Sequence, residues 1–226
     1  MGNLYNLLTQ DVRFEEALNS CMNCGICTAV CPAAEFYNYD PRKIVDTIQR
    51  RNEDEIEALL RSETIWYCGQ CLSCKTRCPR GNTPAVLIAI LRSVSQKMGY
   101  FTESEKGLQQ FAISKKIAQT ILDTGYCVHP DTMSYEQHPE QGPVWKWYTK
   151  YIEEIAPRFG ANYHGEGPGA LRNIRKETLE DINKIFEATG GKELMRKVET
   201  GAKNKTNIRN DEDLLNLVYN RNTSKE

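Results

Sequence analysis

The sequence predicts a mainly α protein: a helical domain built around two cysteine-rich loops, followed by an irregular helical extension. Three observations carry that reading. Apolar residues recur at three- and four-residue intervals next to capping residues, and no stretch alternates apolar with polar side chains as a half-buried strand does. Eight of the nine cysteines fall in two short runs with the same internal spacing. The 226 residues, 40% of them apolar, are enough for a modest core.

Taken in order, Phe14, Ala17, Leu18 and Cys21 stand at helical spacing, so a helix is expected to deliver the first cysteine at its end. Asp40-Pro41 reads as cap and first turn, with Ile44, Val45 and Ile48 on one face. Ile56, Leu59 and Leu60 mark a second short helix after Asn52. Thr83-Pro84 opens a third, with Leu87, Ile90, Leu91 and Val94 buried and Gly99 as its stop. The boundary is placed there: a metal domain over 1–99 and an extension over 100–226.

In the extension, Thr102 and Glu105 read as a capping box for a helix through Leu108, Phe111, Ala112, Ile117 and Ile121 to Gly125. From Val128 to Gly169 the pattern breaks into Gly- and Pro-marked turns around a short aromatic helix, "VWKWYTKYIEEI". Leu179, Ile182, Ile185 and Phe186 predict one more helix, closed by Gly190-Gly191. The polar tail after Thr200 is expected to be loose, with "DEDLLNLVY" able to dock as a turn or two.

Composition excludes several classes. A net charge of -1 provides no basic field for nucleic acid. Trp145, Trp147, Tyr148 and Tyr151 therefore read as packing or docking groups rather than base-stacking ones. The amino terminus lacks a secretion signal, and Asn6 fails the myristoylation pattern. The longest apolar run, "PAVLIAIL", falls well short of the roughly 20 residues that span a bilayer. A cytoplasmic setting with reduced thiols and no direct membrane insertion is expected.

"CMNCGICTAVCP", from Cys21 to Pro32, and "CGQCLSCKTRCP", from Cys68 to Pro79, share the pattern C-x2-C-x2-C-x3-C-P. That is the spacing of paired 4Fe-4S clusters, in which three cysteines of one run hold a cluster and the fourth crosses to the other. Cluster one would take Cys21, Cys24, Cys27 and Cys78; cluster two would take Cys68, Cys71, Cys74 and Cys31. Pro32 and Pro79 fix the chain's exit, while Gly25 and Gly69 allow close main-chain approach. Two structural zinc sites are the competing reading, but zinc sites draw on paired C-x2-C knuckles rather than a triplet with a crossing fourth.

No phosphate loop, nucleophile elbow or zincin helix accompanies the cysteines, so no catalytic residue is assigned and one-electron carriage is the expected chemistry. Lys75, Arg77 and Arg80 surround the second run, which predicts an easier reduction there; the alternative is that these bases face water or an acidic partner. Cys127 reads as a small buried apolar residue. His129, His138 and His164 share no ligand spacing and read as surface or interface groups.

The doubled cysteine motif, its intervening short helices and "WYCGQCLSCKTRCPRG" resemble the α-helical ferredoxin domain of the heterodisulfide reductase HdrC family over about Leu4 to Gly99. Related domains occur in the iron-sulfur subunits of succinate dehydrogenase and in the HdrC-like subunit of anaerobic glycerol-3-phosphate dehydrogenase. The chain lacks the plant-type C-x4-C-x2-C of the first and the Cys-Cys-Gly repeats of the second. "HPEQGPVWKWY" is similar to the bacterial heterodisulfide reductase-like type. The resemblance implies an electron-transfer subunit, not itself catalytic, between an HdrA-like flavin and iron-sulfur subunit and an HdrB-like subunit with Cys-Cys-Gly motifs. The alternatives are a structural or interaction iron-sulfur protein and a stand-alone ferredoxin-type carrier.

Overall fold

A computed structural model describes residues 4–135, 138, 141–206 and 213. Among them the fold is helical, with no strand and one isolated bridge between Ala161 and Ala170. Two compact units emerge: Met1–Gln110 with Lys197–Asn210, and Phe111–Arg196 with Asp211–Glu226.

The first unit opens with α1 (Leu4–Thr9) and α2 (Phe14–Ala17), then the first cysteine run with α3 (Ile26–Ala29) and α4 (Ala33–Phe36). The helix expected to reach Cys21 stops at Ala17, because Leu18 is extended at φ -143°. Asp40 caps α5 (Pro41–Arg50), accepting from the N–H groups of Arg42 and Lys43, and Asn52 caps α6 (Glu53–Arg61) in the same way. Both helices lie where their caps predict. The second run holds α7 (Ser73–Arg77), and α8 (Pro84–Met98) follows, stopped by Gly99 at φ 77°.

Around α8 the unit is organised. It packs against α1, α2, α5, α6 and α7, and Leu87, Ile88, Ile90 and Leu91 are wholly buried. The apolar run is therefore a core helix covered on nearly every side. Burying each such side chain is worth about 1.5–3 kcal/mol. Its one buried hydroxyl, Ser95, donates to the Leu60 carbonyl at 2.7 Å, so α8 is locked to α6 without leaving a polar group stranded. Thr83 occupies the cap position, but its hydroxyl is buried and makes no capping bond.

Helix α9 (Glu105–Thr124) ends at Gly125, φ 78°. Its start departs from the expected capping box: Thr102 lies in a 3₁₀ turn, Ser104 accepts from the Gly107 N–H at 2.9 Å, and the Glu63 carboxylate takes the first N–H groups. The second unit then carries α10 (Pro143–Lys150), α11 (Ile152–Ile155) and α12 (Lys176–Ala188). Helix α12 buries no residue, and Ile185 is 59% exposed.

A further helix, α13 (Gly191–Lys205), extends past Thr200, where a loose tail was expected. Val198 and Ala202 on it are buried, and Gly201 reaches Gly99. The "DEDLLNLVY" expectation falls outside the described residues except for Asp213. No described helix is long and apolar enough to cross a membrane.

Candidate functional site

The two cysteine runs fold alike. Asn23 and Gln70, one residue before the second cysteine of each run, are left-handed at φ 58° and 52°; Gly25 and Leu72, one residue after it, are left-handed at 81° and 62°. Glycine accepts this conformation freely, whereas side-chain-bearing residues there carry strain on the order of 1–3 kcal/mol. The same geometry in both runs has one product: the N–H groups of Asn23 and Gln70 point at the sulfurs of Cys21 and Cys68, each at 3.4 Å. Gly69, by contrast, has open space around it and no positive φ, so the close approach expected there is not what its glycine provides.

Cys21, Cys24, Cys27 and Cys78 line one hollow. Cys31, Cys68, Cys71 and Cys74 line a second. Each hollow thus takes three sulfurs from one run and the last cysteine of the other. Packing of α3 against α7 sets the hollows side by side. Apolar walls complete them: Ile26, Val45 and Pro84 in the first, Pro41, Ala85 and Ile88 in the second. Cys24 and Cys71 face outward, and Met22, at 62% exposed, and Leu72, at 44%, form an apolar rim beside them.

Burial pushes the Cys27 thiol up to about 11, with the neighbouring Cys21 and Cys74 adding to it; burial also raises Cys74. Thiolates in such places need a compensating cation. At the rim, the hydrogen bond to the Ser73 hydroxyl pulls Cys71 down. Burial, then the nearby Cys68 sulfur, raises the Tyr39 phenol; its hydroxyl is buried on the wall of the second hollow without a conventional hydrogen bond. A donor-rich loop, eight thiols and an orphaned hydroxyl beside Cys68 together fit sulfur-bridged iron, whose sulfurs accept hydrogen bonds.

Charge is distributed differently from the sequence expectation. Lys75 is tied to Glu16 at the surface, which offsets its charge. Arg80 lines the first hollow rather than the second, beside Arg42, which pairs with Asp40 at 3.1 Å. Besides Lys75 and Arg77 on α7, the second run meets Arg92 of α8, which donates to the main-chain carbonyls of Ile65 at 2.7 Å and Cys68 at 2.6 Å.

Two amide side chains set the entry of the first run. Gln49 of α5 accepts from the Cys21 N–H at 2.7 Å and donates to the Cys21 carbonyl at 3.1 Å. Asn82 does the same for the preceding stretch, accepting from Asn19 at 2.8 Å and donating to Ser20 at 3.1 Å. These contacts place Cys21 once α2 has ended. Sequence reasoning passed over Gln49, Asn82 and Arg92; the only signal was a polar residue inside or beside an otherwise apolar helical stripe.

Outside the hollows, Cys127 is exposed, not buried as expected, because it lies beyond the Gly125 stop of α9. Read from the sequence as surface or interface groups, His129 and His138 are buried within the chain, and His164 is exposed.

Residues 17–82 match the family model described as a 4Fe-4S dicluster domain, and the chain accordingly carries two 4Fe-4S clusters. The chain is 30% identical over 173 residues to the C subunit of the ferredoxin:CoB-CoM heterodisulfide reductase of Methanosarcina acetivorans, covering 76% of this chain and 62% of that one. It is 31% identical over 114 residues to the iron-sulfur C subunit of the CoB–CoM heterodisulfide reductase of Methanopyrus kandleri, covering 49% and 58%. The C subunit of the H(2):CoB-CoM heterodisulfide,ferredoxin reductase of Methanothermobacter marburgensis is 26% identical over 180 residues, covering 80% and 79%. The chain thus spans about three-fifths of the length of the first two relatives.

Proposed function

We propose, from the premise that this chain is a relative of the heterodisulfide reductase HdrC family, that it relays single electrons as a subunit of a heterodisulfide reductase-like complex. Cys21, Cys24, Cys27 and Cys78 would hold one cluster, and Cys68, Cys71, Cys74 and Cys31 the other. When bound, each cluster supplies one-electron exchange. Its partners would be an HdrA-like flavin and iron-sulfur subunit on one side and an HdrB-like subunit with Cys-Cys-Gly motifs on the other. The interchange of Cys31 and Cys78 between the two hollows carries this reading, since it would set two one-electron sites beside each other.

The chain's own residues do three things there. Apolar walls at Val45, Pro84, Ala85 and Ile88 limit water. The Asn23 and Gln70 N–H groups donate to ligand sulfur and stabilise the more negative, reduced state. Arg80 and Arg92 bring positive charge to one hollow each, favouring the same state.

Purification without oxygen, followed by iron analysis, reductive titration with electron paramagnetic resonance and recovery of the native complex, tests the proposal. About eight irons per chain, two interacting reducible centres and co-purifying flavin and Cys-Cys-Gly subunits are expected. Clusters that resist reduction, or a chain recovered without such company, would overturn it.

A further inference from the structure

Away from the cysteines, the second unit gathers two imidazoles and a carboxylate that are far apart in sequence. Pro130 opens a 3₁₀ turn, Pro130–Thr132, with His129 at its cap, so His129 and Asp131 face the same side. Nδ1 of His129 lies 3.5 Å from Oδ2 of Asp131, and Nε2 of His164 lies 2.6 Å from that same oxygen. One potential donor atom from each residue falls within 4.8 Å of the other two.

We propose that His129, Asp131 and His164 form a binding site for a divalent transition ion of the zinc class. Two imidazole nitrogens and one carboxylate oxygen are a common zinc donor set, with a fourth position left for water or another oxygen. Tetrahedral bonds of about 2.0–2.1 Å place donors roughly 3.3 Å apart, so His164 and Asp131 separate by under an ångström while the widest pair closes by up to about 1.5 Å. The proposal stands apart from the electron-relay reading and does not depend on it.

The surroundings hold each donor. The Tyr163 hydroxyl donates to Oδ1 of Asp131, leaving Oδ2 to face the imidazoles. The ring of His129 is buried, and its Nδ1 accepts from the Asp131 N–H at 3.4 Å, a contact that fixes the ring beside the carboxylate and that a bound ion would replace. Such partners to ligand groups orient a metal site. The ring of His164 stacks on Tyr163 at 3.9 Å between centroids.

The loop carrying His164 is braced to present it. His164 and Leu171 are both left-handed, at φ 55° and 61°, and the His164 N–H donates to the Leu171 carbonyl at 3.1 Å. Asn173 donates through Nδ2 to the His164 carbonyl at 2.7 Å and through its N–H to Gly165 at 3.0 Å; the Asn162 N–H donates to Ala170 at 2.8 Å. Strain at two side-chain-bearing residues persists only where surrounding contacts over-determine it. An ion here would cross-link the turn at 129–131 to the loop at 161–173 in a stretch with few buried apolar residues.

The test uses the oxygen-free protein with its iron intact, so that the cysteine sites are filled. Zinc is added, excess removed, and zinc and iron counted in the same sample. One zinc per chain is expected on top of unchanged iron. Cobalt(II) in its place is expected to absorb as a nitrogen- and oxygen-bound ion without thiolate charge-transfer bands. His164→Ala and Asp131→Asn should each weaken binding by at least roughly 100-fold, the upper end for an outer-shell partner. His164 is half-exposed, so its variant folds; unchanged iron verifies this. His164→Cys should restore cobalt binding and add a thiolate band, which appears only if residue 164 touches the ion. No retained zinc, equal zinc in the Ala and Asn variants, or thiolate bands in the unaltered protein would reduce the cluster to an ion-pair network and overturn the site.

Discussion

Arg92 donates a 2.6 Å hydrogen bond from its guanidinium to the main-chain carbonyl of Cys68. A core helix thereby both anchors the start of the second cysteine run and places a cation beside it. Arg92→Met keeps the packing and removes the charge. At the effective dielectric of about 20 this loses on the order of 1–2 kcal/mol of stabilisation of the reduced state, or roughly 40–90 mV for one electron. A redox titration followed by electron paramagnetic resonance should show the centre near Cys68 falling in potential while its neighbour stays. Equal shifts at both, or none, would reject the assignment of Arg92 to one centre.

The exchange of fourth cysteines is tested by comparing Cys31→Ser with Cys78→Ser. Cys31 lines the hollow of Cys68, Cys71 and Cys74, and Cys78 lines that of Cys21, Cys24 and Cys27. Each variant is expected to damage the centre of the opposite run and spare its own. If each damaged its own run's centre, the crossed arrangement would be wrong.

Gln49→Leu removes both amide bonds that bracket Cys21. At about 1 kcal/mol each, the loss should leave the fold intact while iron leaves the first site faster under a chelator. Iron release monitored with time, against an unchanged second centre, is the readout.

Asp40 caps α5 and ties α3 to it through Thr28. Asp40→Ala should cost about 0.5–2 kcal/mol. Burial pushes its carboxyl up, but hydrogen bonds from Thr28 and Arg42 outweigh this and hold it below the ordinary carboxylate range. A lowered folded value means the ionised form stabilises the fold above the unfolded pKa of about 3.9, and that this is lost as pH falls through the folded value. Asp40→Asn keeps an acceptor without the charge. Its deficit in denaturant midpoint should hold steady from about pH 7 to 5 and close below about 4.

What could be read from the sequence followed from local rules. Asp40, Asn52 and Gly99 mark helix ends by side-chain or backbone chemistry that needs no distant neighbour. The two 4Fe-4S clusters were legible because the doubled cysteine spacing is itself a ligand pattern. Long-range contacts were not legible: Gln49 reaches Cys21 across 28 residues and Asn82 reaches Asn19 across 63, and no pattern in either neighbourhood announces the other. His164 and Asp131 are hidden for the same reason, 33 residues apart and brought together by a loop whose left-handed residues include His164 and Leu171 rather than glycines alone. The end of α2 was misread because periodicity continues through Leu18 while the backbone turns away to meet Asn82.

The crossed cysteines also set an order of manufacture. As the chain leaves the ribosome, the amino-terminal run emerges with three thiols around a basin whose fourth wall, Cys78, has not yet been synthesised. Neither basin can be closed until the later run is out, so a truncation anywhere between them yields no complete receptacle. With that lining, iron delivery to either basin would wait for a nearly finished domain.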